Sequence, residues 1–317
     1  MKREKRSITG VLLLDKPLGI TSNAALLRAK ILYNADKAGH TGTLDPFASG
    51  LLPVCFGEAT KFAGFMLNAD KTYEATIRLG RTTTTGDREG EVLTESVVVA
   101  TPTAVTEALD RFTGPISQLP PMYSALKFQG QPLYRLARQG LTVPREVRQI
   151  FIRRLDLLAF TSPLLQLRIL CSKGTYVRVL AEDIGKALGC GGMLEDLRRT
   201  GTGNFDLLHS LTLAQLEKMP LVIRDARLAP ADCLVQHLPE IELEGGLGRS
   251  LQEGRSSLAG TDKLPGVYRA YARPRQFLGL VEVTGVGILQ PHRMMSRSFA
   301  PTFESVILET AVDRSSS

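Results

Sequence analysis

One stretch constrains the fold of this chain more than any other: residues 39–52, which read G-H-T-G-T-L-D-P-F-A-S-G-L-L. Its three glycines permit backbone turns that residues with a side chain rarely adopt. Pro46 fixes its own φ and restricts Asp45, the residue before it, to extended conformations. The stretch is therefore predicted to be a stiff loop that holds one carboxylate between an apolar helix and an apolar strand. Asp-Pro also initiates ordinary turns, and composition alone favours that simpler interpretation.

The periodicity of apolar residues predicts a mixture of strands and helices along the chain. Strands and helices do not alternate in a regular βαβ rhythm, so we expect an α+β fold with a mixed, largely antiparallel sheet. A hairpin turn is expected at residues 87–90. The predicted strands are 8–14, 51–56, 72–79 and 165–171, and the predicted helices follow Thr21, run from 59 to 68, follow Thr103 and run from 176 to 188.

Two domains are expected. Residues 1–245 would form the larger one, and residues 246–317, with short apolar runs at 279–283 and 305–308, would form a small β-rich C-terminal domain. Within the larger domain, residues 118–150 contain four prolines, two glycines and most of a basic cluster. This composition is typical of a loop-rich segment, so we interpret it as a protruding insertion.

Positive charge is segregated along the chain. Residues 120–154 carry seven Lys or Arg against the single acid Glu146, and residues 1–40 and 255–297 each carry a net charge of +5. The whole chain carries only +7, so the remaining segments are acidic. Charge runs are usually solvated faces, but segregation on this scale favours a polyanionic partner, with nucleic acid as the leading candidate.

Cysteine usage and apolar runs indicate the compartment. The four cysteines show no C-x-x-C spacing, so neither a zinc site nor a disulfide framework is indicated, and a cytoplasmic location is expected. The basic N-terminus and the apolar run Val11–Leu14 superficially resemble a signal peptide, but Asp15 ends that run too early. No apolar run approaches membrane-spanning length, so no association with a membrane is expected.

Four segments, taken together, resemble one known family. Residues 39–53 resemble the catalytic loop of the TruB family, the tRNA pseudouridine-55 synthases. Three further segments match in the same order: G-V-L-L-L-D-K-P from Gly10, C-S-K-G-T-Y-V-R from Cys171 and L-R-R from Leu197. An ordered set of four motifs is far more specific than any single motif. The resemblance is strong over about the first two-thirds of the chain and weaker beyond.

The resemblance implies roles for individual residues. Asp45 would be the catalytic carboxylate, acting as a nucleophile or general base beside the ribose or base. Arg178 would supply the cation that keeps this carboxylate ionised against desolvation. The target uridine must leave its stack, and Tyr73 would stack on the extruded uracil and help to move a proton. The remaining implied residues are His40 in the cavity opened by base flipping, Tyr176 and Leu197 in the same pocket, and Lys16 as a brace for the loop.

Each implied role has a simpler structural alternative. Arg178 would be a solvent-facing arginine on an amphipathic helix, and the two tyrosines and Leu197 would be core residues. Lys16 would belong to an ordinary strand-ending turn. His40 is not expected to bind metal, because no His, Cys or acid stands at ligand spacing. Where the family commonly has T-D-T, this chain has T-T-T with Thr84 in the centre, which leaves open the role of that position.

The function implied by the resemblance is isomerisation of uridine 55 in the T loop of tRNA. The reaction is redox-neutral, so no cofactor and no metal are expected. The basic insertion, and the C-terminal domain as a PUA-like module, would bind the RNA. Guide-RNA-dependent relatives such as dyskerin lack a comparable insertion, so recognition without a guide RNA by a monomer is expected. The arginines of the insertion expected to bind the T arm are Arg135, Arg138, Arg145 and Arg148.

Two alternatives from other classes remain. The basic segments would suffice for a non-catalytic RNA-binding or tRNA-folding protein, against which the intact Asp45, Tyr73 and Arg178 argue. A phosphoryl-transfer enzyme would use the glycine-rich loop to hold phosphate. That loop would need G-x-x-x-x-G-K-[ST], and no Lys-Ser/Thr pair follows either Gly42 or Gly50.

Overall fold

A computed structural model describes residues 4–244, 246–258 and 263–296. The apolar run predicted at 305–308 lies outside the described residues. Residues up to Val235 form one compact unit, and residues from Gln236 onward form a second. The strands of the first unit are β1 (Gly10–Lys16), β2 (Ala38–His40), β3 (Ser49–Phe56), β4 (Lys71–Leu79), β5 (Arg81–Thr83), β6 (Val92–Glu95), β7 (Gly114–Gln118), β8 (Lys127–Phe128), β9 (Gln131–Pro132), β10 (Arg148–Thr161), β11 (Leu164–Cys171), β12 (Gly192–Thr202), β13 (Phe205–Asp206) and β14 (Leu211–Thr212).

The helices of the first unit are shorter and lie between these strands. Two 3₁₀ helices, Gly57–Lys61 and Ala231–Val235, accompany them. The α-helices are α1 (Ser22–Leu32), α2 (Ala63–Leu67), α3 (Pro102–Arg111), α4 (Leu133–Arg138), α5 (Val177–Ala187), α6 (Leu213–Lys218) and α7 (Leu221–Asp225).

The first unit is built on one ten-stranded sheet in the order β14-β1-β3-β12-β4-β11-β10-β7, with β2 paired to β3 and β13 to β12. Within the described part of this sheet, only the β1–β14 and β3–β12 pairs are parallel, which confirms the predicted mixed, largely antiparallel sheet. Apolar residues of α3 and α5 pack against β4, β11 and β12 in one core cluster, and those of α1 and α6 pack against β1 and β3 in another.

The local signals in the sequence explain most of these elements. On β4, Ala75, Ile77 and Leu79 are buried, as the alternating pattern predicts. Helix α1 begins after Thr21, whose side chain accepts a hydrogen bond from the amide of Ala24. Helix α3 begins two residues before the predicted start, because Thr101 caps it and Pro102 occupies its first position.

The continuous helix predicted from 59 to 68 is wrong. The chain instead forms a 3₁₀ helix and the single-turn helix α2, separated at Phe62. The amide of Phe62 bonds to the carbonyl of Ala59, and the amide of Phe65 bonds to that of Phe62, so both bonds span three residues. This tighter path buries Phe62 and Met66 completely, while Phe65 remains half-buried.

The predicted insertion lies between β7 and β10, which are neighbouring antiparallel strands. It contains the small hairpin β8–β9 and helix α4. Leu133 and Leu136 on α4 are buried, whereas Arg135 and Arg138 on the same helix are exposed. The segment is therefore an excursion from the end of the sheet with its own small apolar contacts.

The second unit contains helix α8 (Leu247–Gln252) and a five-stranded sheet in the order β15-β17-β18-β19-β16. It begins about ten residues before the boundary expected at 245, because β15 pairs with β17. The unit is rich in β-structure, as predicted. Its strands are β15 (Glu240–Glu242), β16 (Ser257–Leu258), β17 (Gly266–Ala272), β18 (Gln276–Val283) and β19 (Ile288–Met294).

Acidic residues near β15 neutralise much of the positive charge counted in this tail. Arg273 pairs with Glu242 and Glu244, and Arg275 pairs with Glu240. The net charge of residues 255–297 therefore overstates how positive this surface is, since its acidic partners precede residue 255 in the chain. Among the described residues, no helix is both long enough and apolar enough to cross a membrane.

Gly50 illustrates how closely β3 and β12 approach each other. Its φ is +104°, and a Cβ at this position would lie 2.2 Å from the backbone oxygen of Arg199. An L-residue is therefore excluded here by both backbone conformation and contact with a paired strand.

Replacing Gly50 with alanine should lower the free energy of unfolding by more than about 2 kcal/mol, because the new methyl group meets backbone that cannot move aside. Gly64→Ala is the matched control, since in the described part of the chain no atom beyond its neighbours and its own helix backbone lies within 4 Å of its Cβ position. It should leave stability unchanged or raise it by about 0.5–1 kcal/mol. Urea unfolding of the two variants measures the difference, and equal midpoints would contradict the close approach.

Candidate active site

The loop between β2 and β3, residues 41–48, carries Asp45 and is locked against the start of α1. The Ser22 hydroxyl donates to the Leu44 carbonyl at 3.0 Å and accepts from the Leu44 amide at 2.7 Å. The amide of Gly19 donates to the carbonyl of Pro46 at 2.8 Å. Ser22 is buried, so its hydroxyl acts as a clamp on the residue before Asp45. The stiff loop expected from the sequence is present, but its stiffness depends on α1 as well as on Pro46.

Arg178 lies beside Asp45. Its Nη2 is 3.0 Å from Oδ2 of Asp45, and its side chain is only 7% exposed, so it does not face solvent. The same guanidinium donates to the carbonyls of Thr85 at 3.0 Å and Tyr123 at 2.7 Å. Arg178 is the second residue of α5, and this position aims it at the loop. Two backbone carbonyls therefore fix the guanidinium of Arg178 beside the Asp45 carboxylate.

Asp87, which was not among the predicted site residues, is a second carboxylate partner of Arg178. Its Oδ2 is 3.4 Å from Nη1 of Arg178, and its side chain is 5% exposed. The Thr85 hydroxyl and the Glu89 amide both donate to Oδ1 of Asp87, at 2.6 and 3.0 Å. Glu89 lies in the turn predicted at 87–90 and Thr85 lies just before it, so the sequence indicated the turn but not the direction of the carboxylate.

Thr84, the position that departs from the family pattern, closes the same turn. Its hydroxyl accepts from the amide of Glu91 at 3.1 Å, and its amide donates to the carbonyl of Glu91 at 2.9 Å. Thr84 is exposed. The residue therefore stabilises the hairpin β5–β6 and makes none of the contacts of Arg178.

The electrostatic balance at Asp45 has opposing causes. Desolvation raises the pKa of Asp45 above its usual value, and the nearby Asp87 carboxylate adds to this effect. The guanidinium of Arg178 and, more weakly, the ammonium of Lys16 oppose the rise in the pKa of Asp45. The side chain of Asp45 remains 41% exposed, so the carboxylate is open to an incoming ligand. Arg178 is the main group that opposes protonation of Asp45.

Lys16 is completely buried and closes the turn that follows β1. Its Nζ donates to the carbonyls of Pro17 at 2.9 Å and Ile20 at 2.8 Å. Desolvation lowers the pKa of Lys16 to about 8, although Asp45 opposes this shift. The turn that Lys16 holds is the one whose Gly19 contacts the Asp45 loop. The role of Lys16 as a brace for the catalytic loop stays a prediction.

The four remaining predicted pocket residues occupy different elements. Tyr73 on β4 and Tyr176 at the start of α5 are half-buried, and Asp45 acts electrostatically on both. Leu197 on β12 is buried in the same apolar cluster as Leu44. His40 ends β2, and burial lowers its pKa, with Arg199 contributing, so the imidazole is neutral near pH 7.

The arginines of the insertion differ in their surroundings. Arg135, Arg138 and Arg148 are exposed, whereas Arg145 is half-buried and donates to the carbonyl of Pro120 at 2.9 Å. Arg145 also lines a cavity of about 590 Å³ between the insertion, the β5–β6 turn and α5. It supports the insertion itself and is a poorer candidate for phosphate binding than the other three.

Arg199 and Ser22 are two further residues at this site that the sequence did not single out. Arg199 on β12 is 2% exposed and bonds the backbone at both ends of the Asp45 loop. It belongs to the L-R-R motif, so a signal existed, but nothing in the motif shows which arginine turns inward. Among the described residues, no group of three or more His, Cys, Asp or Glu side chains is placed to hold a metal ion.

Solved structures share this fold. The chain superposes with a TM-score of 0.69 on a chain from a Cbf5–Nop10–Gar1 complex, with 25% identity, covering 91% of this chain and 86% of that one. A TM-score of 0.68 relates it to a chain from an H/ACA RNP bound to a substrate RNA containing 2′-deoxyuridine, at 23% identity over 91% and 86% of the two chains. The second likeness, below 25% identity, concerns the fold alone.

Sequence comparisons define the class. Residues 30–177 match the model of the N-terminal domain of TruB family pseudouridylate synthases, and residues 178–238 match that of the tRNA pseudouridylate synthase B C-terminal domain. The fold and these matches are thus those of a pseudouridylate synthase, an isomerase.

Curated relatives narrow the class to a family. A protein of Thiobacillus denitrificans named tRNA pseudouridine synthase B is 52% identical over 93% of this chain and 99% of its own length. A protein of the same name from Azoarcus sp. is 52% identical over 93% and 97%. One from Burkholderia mallei is 53% identical over 92% and 98%. The chain belongs to the TruB family, which confirms the resemblance found in the four motifs.

Removing the guanidinium in Arg178→Met should raise the pKa of Asp45 further, because its main stabilising cation is lost. A carboxyl whose pKa is raised in the folded state binds more protons there than in the unfolded chain. The stability of the variant should therefore fall as pH rises through the pKa of Asp45. The carboxyl ¹³C shift of Asp45, assigned by comparison with Asp45→Asn, gives the titration directly.

Arg168→Met is the matched control for this titration. Arg168 pairs with Glu74 at 3.0 Å, and both side chains are about half-exposed. Its removal should leave the titration of Asp45 unchanged. An unchanged midpoint in Arg178→Met would show that another group keeps Asp45 ionised.

Proposed function

We propose that the protein isomerises uridine 55 in the T loop of tRNA to pseudouridine, with Asp45 as the reacting carboxylate. The observation that carries the proposal is the pair formed by Asp45 and Arg178 at 3.0 Å, on a clamped loop of a TruB family chain. The names of the curated relatives, all tRNA pseudouridine synthase B, support tRNA as the substrate class.

The chemistry requires one bond to break and one to form. The N1–C1′ bond is cleaved, the uracil turns, and C5 bonds to C1′, while a proton leaves C5 and N1 gains one. No electrons are gained or lost overall. Asp45 would act on C1′, on C6 or on the 2′ proton, and each of these requires it to be ionised. The guanidinium of Arg178 would favour the ionised form of Asp45. Its bonds to the carbonyls of Thr85 and Tyr123 and its ion pair with Asp87 hold the guanidinium in place.

The half-buried aromatic residues suit an extruded base. Flipping a uridine out of a folded T loop costs a few kcal/mol, which contacts in the pocket must offset. Tyr73 would stack on the uracil and exchange a proton with it, and Tyr176 and Leu197 would line the pocket. His40, neutral and at the end of β2, would contact the RNA at the position vacated by the flipped nucleotide.

RNA binding would extend beyond the pocket. The exposed arginines at positions 135, 138 and 148 would contact phosphates of the T arm, with recognition by a monomer in the cytoplasm and without a guide RNA. The second unit would act as a PUA-like RNA-binding domain. Because its Arg273 and Arg275 pair with acids, we expect it to contribute less to the salt dependence of binding than the insertion does.

Asp45→Asn should abolish isomerisation while changing tRNA affinity by only a few-fold, because the substitution removes the charge and nearly conserves the shape. Pseudouridine at position 55 of a tRNA transcript, mapped by sequencing after modification, measures the reaction. A transcript with cytidine at position 55 should gain no pseudouridine from the native enzyme.

Asp156→Asn is the control, since Asp156 pairs only with the exposed Arg154 on β10 among the described residues and should retain full activity. Turnover by Asp45→Asn within tenfold of the native rate would refute the catalytic role. Normal tRNA binding by a native protein that forms no pseudouridine would favour the non-catalytic RNA-binding alternative.

Replacing Arg135, Arg138 and Arg148 together with glutamine should weaken tRNA binding more than it slows the reaction at saturating RNA. Each lost phosphate contact lowers the slope of log affinity against log salt by roughly 0.7 to 0.9. Filter binding at several salt concentrations gives this slope. Arg145 stays native in this variant because of its structural bond to Pro120.

Arg28, Arg111 and Lys218, also replaced together with glutamine, form the matched control. All three are exposed on helices outside the insertion, and the variant carries the same change in net charge. Its salt slope should match that of the native protein. Equal slopes for the two triple variants would mean that the insertion contributes no more than general surface charge.

A further inference from the structure

Arg199 occupies an unusual position for a charged residue. It is 2% exposed and is the largest of the fully buried side chains among the described residues. On one side it pairs in register with Gly50 of β3, and on the other with Tyr73 of β4. Strand β12 thus places this arginine between the end of the Asp45 loop and the tyrosine expected to contact uracil.

The guanidinium joins the two limbs of the Asp45 loop. Its Nε donates to the carbonyl of Leu51 at 2.7 Å, beyond the loop. Its Nη2 and Nη1 donate to the carbonyls of Gly42 at 3.2 Å and Thr43 at 3.4 Å, before Asp45. One rigid fork therefore fixes the distance between the two ends of the segment that carries the carboxylate, which lysine could not do with a single ammonium.

The charge of Arg199 has no acidic counterpart. Within the described chain, no carboxylate lies within 4 Å of its guanidinium, whereas the neighbouring Arg198 pairs with Asp15 at 2.7 Å. Burying a cation without a counter-ion costs free energy, and a neutral donor could satisfy carbonyls more cheaply. The positive charge therefore requires an explanation beyond loop structure.

That charge acts on the titratable groups of the site. The guanidinium opposes the burial-induced rise in the pKa of Tyr73, the residue paired with Arg199 across β12 and β4. It also contributes to the lowered pKa of His40 and of Lys16. A buried cation thus lies on the strand next to Tyr73 and acts electrostatically on the residue on which the base would stack.

We propose that Arg199 is a positioning residue of the isomerisation: it sets the Asp45 loop against Tyr73, and its charge favours the anionic uracil that forms during the reaction. This inference rests on the proposed function. Cleavage of the N1–C1′ bond leaves its electron pair on the uracil, and attack at C6 also places negative charge on the ring. The role therefore holds for every route open to Asp45, and a preorganised cation stabilises such charge at little reorganisation cost.

Two substitutions of Arg199 separate the effect of its three hydrogen bonds from the effect of its charge. Arg199→Lys keeps the charge but cannot reach all three carbonyls, so the single-turnover rate on prefolded tRNA should fall about tenfold. Arg199→Met loses both, and its rate should fall at least about 100-fold, while tRNA affinity changes less than threefold. Arg198→Met is the control on the same strand, expected to lower thermal stability while keeping the rate within threefold of native.

A second readout requires no RNA. The chain has four histidines, so the NMR titration of His40 can be assigned by comparison with His40→Gln. Among the described residues, Arg199 is the charged group that lowers the pKa of His40. Arg199→Met should therefore raise the pKa of His40, whereas Arg199→Lys should leave it near the native value. This shift tests whether the charge at position 199 reaches the site, and the rates of the two variants test whether the reaction uses that charge.

The outcomes are distinct. A native rate in Arg199→Lys, or a rate within threefold of native in an Arg199→Met protein that melts cooperatively, overturns the proposal. If Arg199→Met does not fold, the rate of Arg199→Lys alone decides whether the three hydrogen bonds of the guanidinium matter for the reaction. An unshifted His40 in folded Arg199→Met overturns the electrostatic part. A native protein that forms no pseudouridine in any tRNA refutes the proposed function instead, and the His40 titration still reports the charge.

Discussion

Arg178 lies between two carboxylates, with its guanidinium 3.0 Å from Asp45 and 3.4 Å from Asp87. Desolvation raises the pKa of Asp45, and the guanidinium opposes that rise. It can do so only while it stays beside the Asp45 carboxylate. Asp87 and the carbonyls of Thr85 and Tyr123 fix the cation, so Asp45 can remain partly exposed to its ligand.

The Asp45 loop depends on elements that are distant in the chain. Ser22 of α1 clamps the residue before Asp45, and Lys16 holds the turn that contacts Pro46. Arg199 of β12 bonds both limbs, and Gly50 lets β12 approach closely enough for those bonds to form. Because these contacts join three regions of sequence, the geometry of the Asp45 loop depends on the pairing of β3 with β12 and on the packing of α1.

The electrostatic surface is more uneven than its composition suggests. In the insertion, three arginines remain exposed on or beside a small, partly buried segment, while Arg145 is used internally. In the second unit, arginines of β17 and the following turn pair with acids near β15. Net charge along a segment therefore identifies a candidate RNA surface only after the ion pairs are known, because partners from another segment cancel its field.

The sequence by itself determined the local features of this protein. Pro46 and the glycines specified a stiff loop at Asp45, the alternating residues specified β4 and β11, and four ordered motifs identified the family. Only the tertiary structure decided which charges meet. Arg199 bonds to Leu51 across 148 residues and Arg178 to Thr85 across 93, and no local pattern records such pairings. Side-chain direction decides them too: of two adjacent arginines on β12, one reaches Asp15 and the other turns into the buried loop. Strand pleating and sheet register set that choice, and both exist only once the strands are paired.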